Sequence, residues 1–187
     1  MYPLLHLRHW LHGIGKLRGF GIQSPWAYDF VKEVVAERSP YYKYGELDHN
    51  THVQGSDQRL CHLLLRIANF CQPQAIYIAP KTPPPYHAYI KGGCERADIV
   101  SNPQDAQLLL LSVHSPNIAE TISHLPSTVN QEPPTILLLG INDTPNTLEI
   151  WNHIISNPPC TLTFNLWKMG VIFTHERYQP QHYILNF

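Results

Sequence analysis

The chain has 187 residues, with 13 Lys and Arg against 14 Asp and Glu, so its formal net charge is −1. Hydrophobic residues make up 43% of it and supply enough apolar surface for a core, which argues against a disordered chain. Proteins that bind nucleic acids without sequence specificity carry a strong positive charge. This chain is nearly neutral, so we expect no nucleic-acid partner.

The lack of long apolar runs and the spacing of the cysteines both bear on where the protein is located. No apolar run reaches the roughly 18 residues of a membrane span, and the N-terminus lacks the apolar stretch of a signal peptide, so we expect a cytoplasmic protein. The four cysteines have no Cys-x-x-Cys spacing, and we expect them to be reduced and structural. They are Cys61, Cys71, Cys94 and Cys160.

The first 28 residues are basic and contain no acidic residue. Through Arg8, Lys16 and Arg18 this segment could contact an anionic membrane, but Gly13 and Gly15 weaken a helix there, and plain packing is favoured.

Two helices are predicted in the first third of the chain. Ser24-Pro25 is typical of a helix start, and Ser39-Pro40 should end that helix near Arg38. A polar loop over 48–56 follows.

Asp57 is the expected N-cap of the second helix, whose apolar residues recur every three or four positions as far as Cys71. We therefore expect one domain over 1–187, in which residues 1–72 form a helical cover for a sheet over 73–187.

From residue 75 onwards the pattern changes to short apolar runs, which are typical of strands buried on both faces. Helices begin between these runs at Ser115-Pro116 and at Thr144-Pro145. This alternation predicts an α/β fold with a mostly parallel sheet and right-handed crossovers. The runs cover 75–79, 108–113, 135–139 and 161–166.

The last strands are predicted to break the parallel pattern. Residues 171–173 follow the preceding run too closely for a crossover helix, so they should pair antiparallel with it. Residues 182–187 could add an edge strand. An exposed edge and few surface charges favour a homodimer or a protein partner.

Several segments in one order resemble a known family. Gly19-Phe20-Gly21-Ile22-Gln23-Ser24-Pro25 is similar to the Gly-x-Gly-Ile-His-Ser-Pro opening of a bacterial family of small O-methyltransferase-like proteins, within the class I S-adenosylmethionine-dependent methyltransferases. The resemblance implies a three-layer, Rossmann-like fold that ends in an antiparallel hairpin. Further matching segments are Tyr41-Tyr42, 63–70, Trp151, 161–166, 170–173 and 181–183.

The expected cofactor turn departs from that family. There, the first strand ends in an acidic-x-Gly-x-Gly turn whose amides approach the cofactor. Here Tyr77 stands in place of the acid and Ala79 in place of the first Gly, and Pro80 and the prolines at 83–85 have no amide hydrogen. We therefore expect S-adenosylmethionine binding to be lost, and residues 83–85 to form a rigid loop in place of a helix.

The segment over 80–106 is also too short. The family fold places two further strands and their helices there, yet one βαβ unit takes roughly 30 residues, so at least one crossover should be missing. If Tyr89-Ile90-Lys91 is a remnant of the second strand, Lys91 replaces the acid that would bind the ribose hydroxyls. Glu95 is then the nearest substitute.

The catalytic corner differs as well. The resemblance implies an Asp-Asp-Ile-His motif that holds a divalent cation, where this chain has Leu139-Gly140-Ile141-Asn142 followed by Asp143, so we expect no metal. Candidates for a residual pocket are His114, Asn142, Asp143 and Glu95. Ser112, His114 and Asp143 could form a hydrolytic set, but no Gly-x-Ser-x-Gly turn supports it.

Two other clusters have a structural and a functional interpretation. The first could hold a metal, although we expect ordinary surface histidines, as we do for His49 and His52; it consists of His6, His9 and His12. The second could stack a flat ligand, although packing is favoured; it consists of Trp26, Tyr41, Tyr42 and Tyr44.

The preferred hypothesis is a methyltransferase-like protein without cofactor, catalytic residues or metal, which acts as a binding or assembly partner. The alternative is an active S-adenosylmethionine-dependent methyltransferase that acts on a small hydroxylated or amino substrate.

Overall fold

A seven-stranded sheet forms the centre of the computed structural model, which describes residues 9–125, 133–157, 160–175 and 178–187. The spatial order of the strands is β2-β1-β3-β4-β6-β5-β7, and β6 alone runs antiparallel to its neighbours. The strands are β1 (Ala75–Ile78), β2 (Asp98–Val100), β3 (Leu108–Ser112), β4 (Thr135–Leu139), β5 (Leu162–Asn165), β6 (Met169–Phe173) and β7 (Gln181–Ile184). The predicted α/β class, mostly parallel sheet, antiparallel hairpin and C-terminal edge strand are confirmed.

Helices cover both faces of the sheet. They are α1 (Pro25–Phe30), which continues into a π-helical turn (Val31–Val35), α2 (Tyr44–Thr51), α3 (Gly55–Cys71), α4 (Pro84–Gly93), α5 (Ile118–Ser123) and α6 (Pro145–Ile155). Helical conformation also occurs at residues 9–13, and short 3-10 turns span Lys16–Arg18 and Pro103–Asp105.

The core against the sheet has two parts, one on each face, because alternate residues of a strand point to opposite faces. A third, smaller cluster lies between α2, α3 and α4. Leu108 and Leu110 of β3 pack with α1, α3 and α4, whereas Leu109 and Leu111 pack with α5 and α6. Trp151 of α6 is 2% exposed and lies in the second part. The result is three layers, and the loops that follow β1, β3 and β4 emerge together at one edge.

The segment between β1 and β3 contains one helix and one strand, which is one strand fewer than the family resemblance implies. Its internal arrangement differs from our prediction. Tyr89-Ile90-Lys91 lies in α4 and not in a strand, so Lys91 is not at a strand end. The prolines do not replace the helix: α4 begins at Pro84, because proline is tolerated in the first turn of a helix, where its missing amide hydrogen would have no partner.

The remaining differences from the sequence predictions concern where helices begin and end. Residues 44–51 form α2, so most of the predicted polar loop at 48–56 is helical. The α3 helix begins at Gly55 with Gln54 as N-cap, which places Asp57 in the first turn, and α5 begins at Ile118 and not at Pro116. The predicted cap at Ser24 is confirmed, since its Oγ accepts a hydrogen bond from the Ala27 amide at 3.3 Å.

The four cysteines, all within the described residues, form no disulfide bond, as expected. No helix in the described part of the chain is both long and apolar enough to cross a membrane.

Candidate functional site

A cavity of about 510 Å³ lies at the carboxyl ends of β1, β3 and β4. Ligands of α/β proteins bind at this edge, because the loops after parallel strands converge there. We call this cavity the edge pocket. Its lining residues come from the loop 79–83, Tyr86 of α4, the loop 112–116, the loop 139–143, the start of α3 at Asp57 and Leu60, and Lys168 of the β5–β6 turn.

His114 and Asp143 meet at the rim of the edge pocket. The Nε2 atom of His114 lies 3.0 Å from Oδ2 of Asp143, and both side chains are more than half exposed. The sequence places these residues after two different strands, and the parallel pairing of β3 and β4 brings them together. An imidazole beside a carboxylate can accept a proton from a bound hydroxyl group.

Gly140 makes room for that pair. Its backbone has a φ of +81°, and a Cβ atom at this position would lie 2.7 Å from Asp143 Oδ2 and 3.2 Å from His114 Nε2. The Asp143 amide donates to the Gly140 carbonyl at 3.1 Å and closes the turn. Only glycine satisfies both demands without strain.

A second ion pair lines the edge pocket. Lys168 Nζ lies 2.7 Å from Asp57 Oδ1 and donates to Ser56 Oγ at 2.9 Å. Both partners of the ion pair are substantially exposed, so its contribution to stability is about 0–1 kcal/mol. The pair fixes the β5–β6 turn over the start of α3.

Tyr86 contributes a hydroxyl group to the edge pocket. Burial raises the pKa of Tyr86 to about 12, and the nearby carboxylates of Asp57 and Asp143 act in the same direction. The phenol therefore keeps its proton at neutral pH and can donate a hydrogen bond to a ligand.

The turn after β1 offers few donors to a ligand. Pro80 and Pro83 have no amide hydrogen, the Thr82 amide donates to the Ala79 carbonyl at 3.0 Å, and the Ala79 amide donates to Leu110 of the sheet at 2.9 Å. Residues 79–83 have three amide N–H groups, and only that of Lys81 is left to donate to a ligand. Ala79 and Pro80 line the edge pocket, whereas Tyr77 does not line it and packs against the core on the α5 and α6 face of the sheet.

Two of the predicted pocket residues lie elsewhere. Asn142 is 9% exposed, and its Nδ2 donates to Asn165 Oδ1 and to the Trp167 carbonyl, both at 2.9 Å. It lines a separate cavity of about 230 Å³ next to Trp151. Glu95 follows α4 and forms an ion pair with Lys43, so it is not a substitute ligand in the edge pocket.

The hydrolytic arrangement is not assembled. Ser112 Oγ accepts a hydrogen bond from the backbone amide of His114 at 3.2 Å, and among the described contacts it makes none with the His114 imidazole. Acyl transfer needs that second contact, since the imidazole must take the serine proton.

Histidines elsewhere do not form a metal centre in the described residues. The prediction of surface histidines is wrong for His9, which is 8% exposed and whose Nε2 lies 2.9 Å from the Leu185 carbonyl oxygen. His6 lies outside the described residues, as does Arg8. His49 and His52 contact each other at the end of α2, with ring centroids 6.2 Å apart.

The aromatic residues proposed as a stacking platform separate into different environments. Trp26 packs in the core against Phe70 and Phe173, as the packing interpretation predicts. Tyr44 is buried and stacks on His62 with ring centroids 3.7 Å apart. Tyr42 is 87% exposed and takes no part in a common surface with them.

Sequence reasoning did not assign Lys168, Thr82, Lys81 or Tyr86 to the site. Lys168 is 111 positions from its ionic partner Asp57, and no local pattern signals such a contact. Tyr86 could have been found from its place on the first turn of a helix that follows β1.

A comparison with solved structures gives a distant likeness. The crystal structure of a methyltransferase from Geobacter sulfurreducens at 1.90 Å resolution is 12% identical to this chain, with a TM-score of 0.45, and the likeness covers 84% of this chain and 93% of that one. We draw no conclusion about function from a likeness this distant. No family model and no curated protein match the chain.

Proposed function

We propose that this chain is a methyltransferase-like protein that binds a small ligand in the edge pocket without S-adenosylmethionine, and that it acts as a binding or assembly partner. The observation that carries the proposal is the turn over 79–83, which lines the pocket and in which the Lys81 amide alone is not already donating to the backbone. A cofactor held by backbone donors needs several of them aimed inward.

The adenosine half of such a cofactor also lacks partners. The β2 strand ends at Val100 and is followed by Ser101 and Asn102, neither of which has a carboxylate to accept from ribose hydroxyls. Glu95 is paired with Lys43. The residues present therefore do not fit S-adenosylmethionine, which supports the loss of methyl transfer.

The chemistry of the edge pocket favours a small, mostly apolar ligand with a polar group. Leu60, Ala79, Pro83 and Leu139 supply apolar surface, and the His114–Asp143 pair supplies a hydrogen-bonding rim. A cavity of about 510 Å³ falls in the ordinary size range of small-molecule sites.

Calorimetric titration with S-adenosylhomocysteine tests the cofactor part of the proposal. We expect no saturable binding up to about 1 mM, the limit of useful affinity for such a ligand. Micromolar binding would overturn the proposal.

An NMR titration tests the binding part, with phenol as a small hydroxylated probe. The imidazole resonances of His114 should shift with phenol, and those of His124, an exposed histidine outside the edge pocket, should not. Equal shifts at both histidines would indicate non-specific contact and contradict a ligand site here.

An active methyltransferase is the second candidate, because the edge pocket is open and the His114–Asp143 pair could orient a hydroxyl substrate. Transfer of a labelled methyl group from S-adenosylmethionine to a cell extract would support it, provided that Asp143→Ala abolishes transfer. Glu95→Ala serves as the matched control, since this carboxylate lies with Lys43 outside the edge pocket.

A further inference from the structure

A separate and larger groove lies between the N-terminal segment, the end of the π-helical turn, α3 and the C-terminal residues. Its volume is about 910 Å³, and its walls include Gly13, Ala36, His62 and Phe187. Four arginines line it, and we call it the arginine groove. They are Arg18, Arg38, Arg59 and Arg66.

The charge around the arginine groove is strongly unbalanced. Four of the seven arginines in a chain of net charge −1 lie here, against one acidic side chain, Glu37. The Glu37 carboxylate accepts hydrogen bonds from the Arg38 amide at 2.6 Å and the Ser39 amide at 2.5 Å, which lower its pKa. Phe187 also lines the groove, and a terminal carboxylate at this residue would still leave the sum positive.

Arg66 is buried and forms no ion pair within the described residues, and the nearest acidic charge of the groove, Glu37, interacts with it only at longer range. It is 6% exposed, its Nε donates to the Val34 carbonyl at 2.7 Å, and its Nη1 donates to the Tyr44 hydroxyl at 3.1 Å. Both acceptors are uncharged, and no carboxylate among the described residues lies within 4 Å of this guanidinium. Buried cations in proteins are usually paired, because an unpaired buried charge is costly.

The contacts of Arg66 also hold it in place. Tyr44, which accepts from Arg66, donates to the His62 carbonyl at 3.3 Å and stacks on the His62 ring. Two of the five guanidinium N–H groups are used in this way, and the rest of the planar fork remains for another acceptor. A pre-oriented arginine suits bidentate recognition of phosphate.

Two lysines elsewhere in the protein form ion pairs, whereas the groove arginines form none with the described residues. Lys43 is paired with Glu95 and Lys168 with Asp57, whereas none of the four groove arginines forms an ion pair within the described part of the chain. The groove therefore brings four arginines without an ion-pair partner in that part of the chain together at one concave site.

We propose that the arginine groove binds a phosphorylated ligand that carries at least two negative charges. Arg66 contacts one phosphoryl group at the base, and Arg38 and Arg59, which are exposed, contact the ligand from the rim. This site is independent of the edge pocket, with which it shares no lining residue.

Two kinds of ligand carry such a phosphoryl group: a soluble phosphate ester and the headgroup of an anionic lipid. Four apolar side chains close in sequence to groove residues are at least half exposed, as a membrane-facing rim would require. They are Trp10, Leu11, Ile14 and Phe20.

Calorimetric titration with pyrophosphate tests the soluble source. The wild-type protein should bind with a dissociation constant below about 1 mM at low salt. The double variant Arg38→Gln/Arg59→Gln should weaken binding about tenfold or more, because each charge-assisted contact is lost. Arg96→Gln, an exposed arginine outside the groove, is the matched control and should bind like the wild type.

The variant Arg66→Lys tests the buried arginine, because it keeps the positive charge but removes the planar guanidinium group. Circular dichroism should show a folded protein, and pyrophosphate binding should still weaken. If Arg66→Lys is unfolded, the double variant Arg38→Gln/Arg59→Gln, which changes only exposed residues, decides whether the groove binds phosphate.

Sedimentation with vesicles tests the lipid source. Vesicles of phosphatidylcholine alone should not bind the protein, and vesicles with added phosphatidic acid should bind it only if the ligand is a headgroup. Loss of that binding in Arg38→Gln/Arg59→Gln but not in Arg96→Gln would support the proposal in its lipid form. Absence of both pyrophosphate and vesicle binding, or equal loss in the Arg96→Gln control, would overturn it.

Discussion

Asp48 joins three helices through a single carboxylate. Its Oδ1 lies 2.9 Å from His62 Nε2, its Oδ2 accepts from Gln58 Nε2 at 2.9 Å, and the Tyr89 hydroxyl donates to Oδ1. Burial alone would raise the pKa of Asp48, but the hydrogen bonds from Tyr89, His62 and Gln58 outweigh burial and lower it below 3.8. The charged form of Asp48 therefore stabilises the packing of α2, α3 and α4.

This lowered pKa predicts a pH dependence of stability. Because the folded protein binds the proton less tightly than the unfolded chain, stability is complete above the unfolded pKa of 3.8 and is lost as the pH falls through the folded pKa. The free energy of unfolding in urea should therefore fall less between pH 5 and pH 3 in Asp48→Asn than in the wild type. Asp29→Asn, an exposed carboxylate of α1, should behave like the wild type. An acid sensitivity of Asp48→Asn equal to that of the wild type would contradict this role.

At the scale of the elements, α3 and α4 approach each other closely because of one glycine. A Cβ atom on Gly93 would lie 2.1 Å from the Leu65 carbonyl oxygen and 2.8 Å from the Ala68 Cβ. No side chain fits without moving one helix away from the other. The position of α4, and therefore of Tyr86 in the edge pocket, depends on this contact.

Alanine substitutions at two glycines should have opposite effects. Gly93→Ala should lower the free energy of unfolding by about 1–3 kcal/mol, because overpacking displaces the helices. Gly45→Ala in α2 meets no atom within 4 Å and should raise it by about 0.5–1 kcal/mol, because alanine loses less conformational entropy in a helix. Urea denaturation measures both values. Effects of the same sign would show that the α3–α4 contact is not as tight as described.

At the scale of the whole molecule, an aromatic cluster links the N-terminal helices to the C-terminal strands. The ring of Phe30 in α1 lies 5.7 Å from Phe70 of α3, 4.9 Å from Phe164 of β5 and 5.1 Å from Phe173 of β6. Phe30 has no exposed surface. These contacts span most of the chain, so we expect the helical cover and the sheet to unfold together.

Phe30→Ala tests this coupling. It should lower the free energy of unfolding by about 3–5 kcal/mol, as large cavities in cores do, with a single transition by circular dichroism and by tryptophan fluorescence. Phe20→Ala, which truncates a side chain that is 71% exposed, should change stability by less than about 0.5 kcal/mol. Two separate transitions in the wild type would contradict a single cooperative unit.

Much of the architecture followed from local patterns. The runs at 75–79, 108–113, 135–139 and 161–166 became β1, β3, β4 and β5 with bounds shifted by one residue at most, because buried strands need continuous apolar residues. The antiparallel pairing of β6 followed from the length of the connection before it. Three consecutive prolines misled the prediction at α4, because the same residues suit an extended rod and a helix start.

The sequence by itself therefore determined the strands other than β2, their mostly parallel pairing and the scarcity of donors in the turn after β1. Only the tertiary structure decided which side chains meet: His114 with Asp143, Asp57 with Lys168, and four arginines around one groove. The physical reason is the distance along the chain over which each effect acts. Periodicity, proline chemistry and loop length act within a few residues, whereas these contacts join positions brought together by the pairing of strands and the packing of helices.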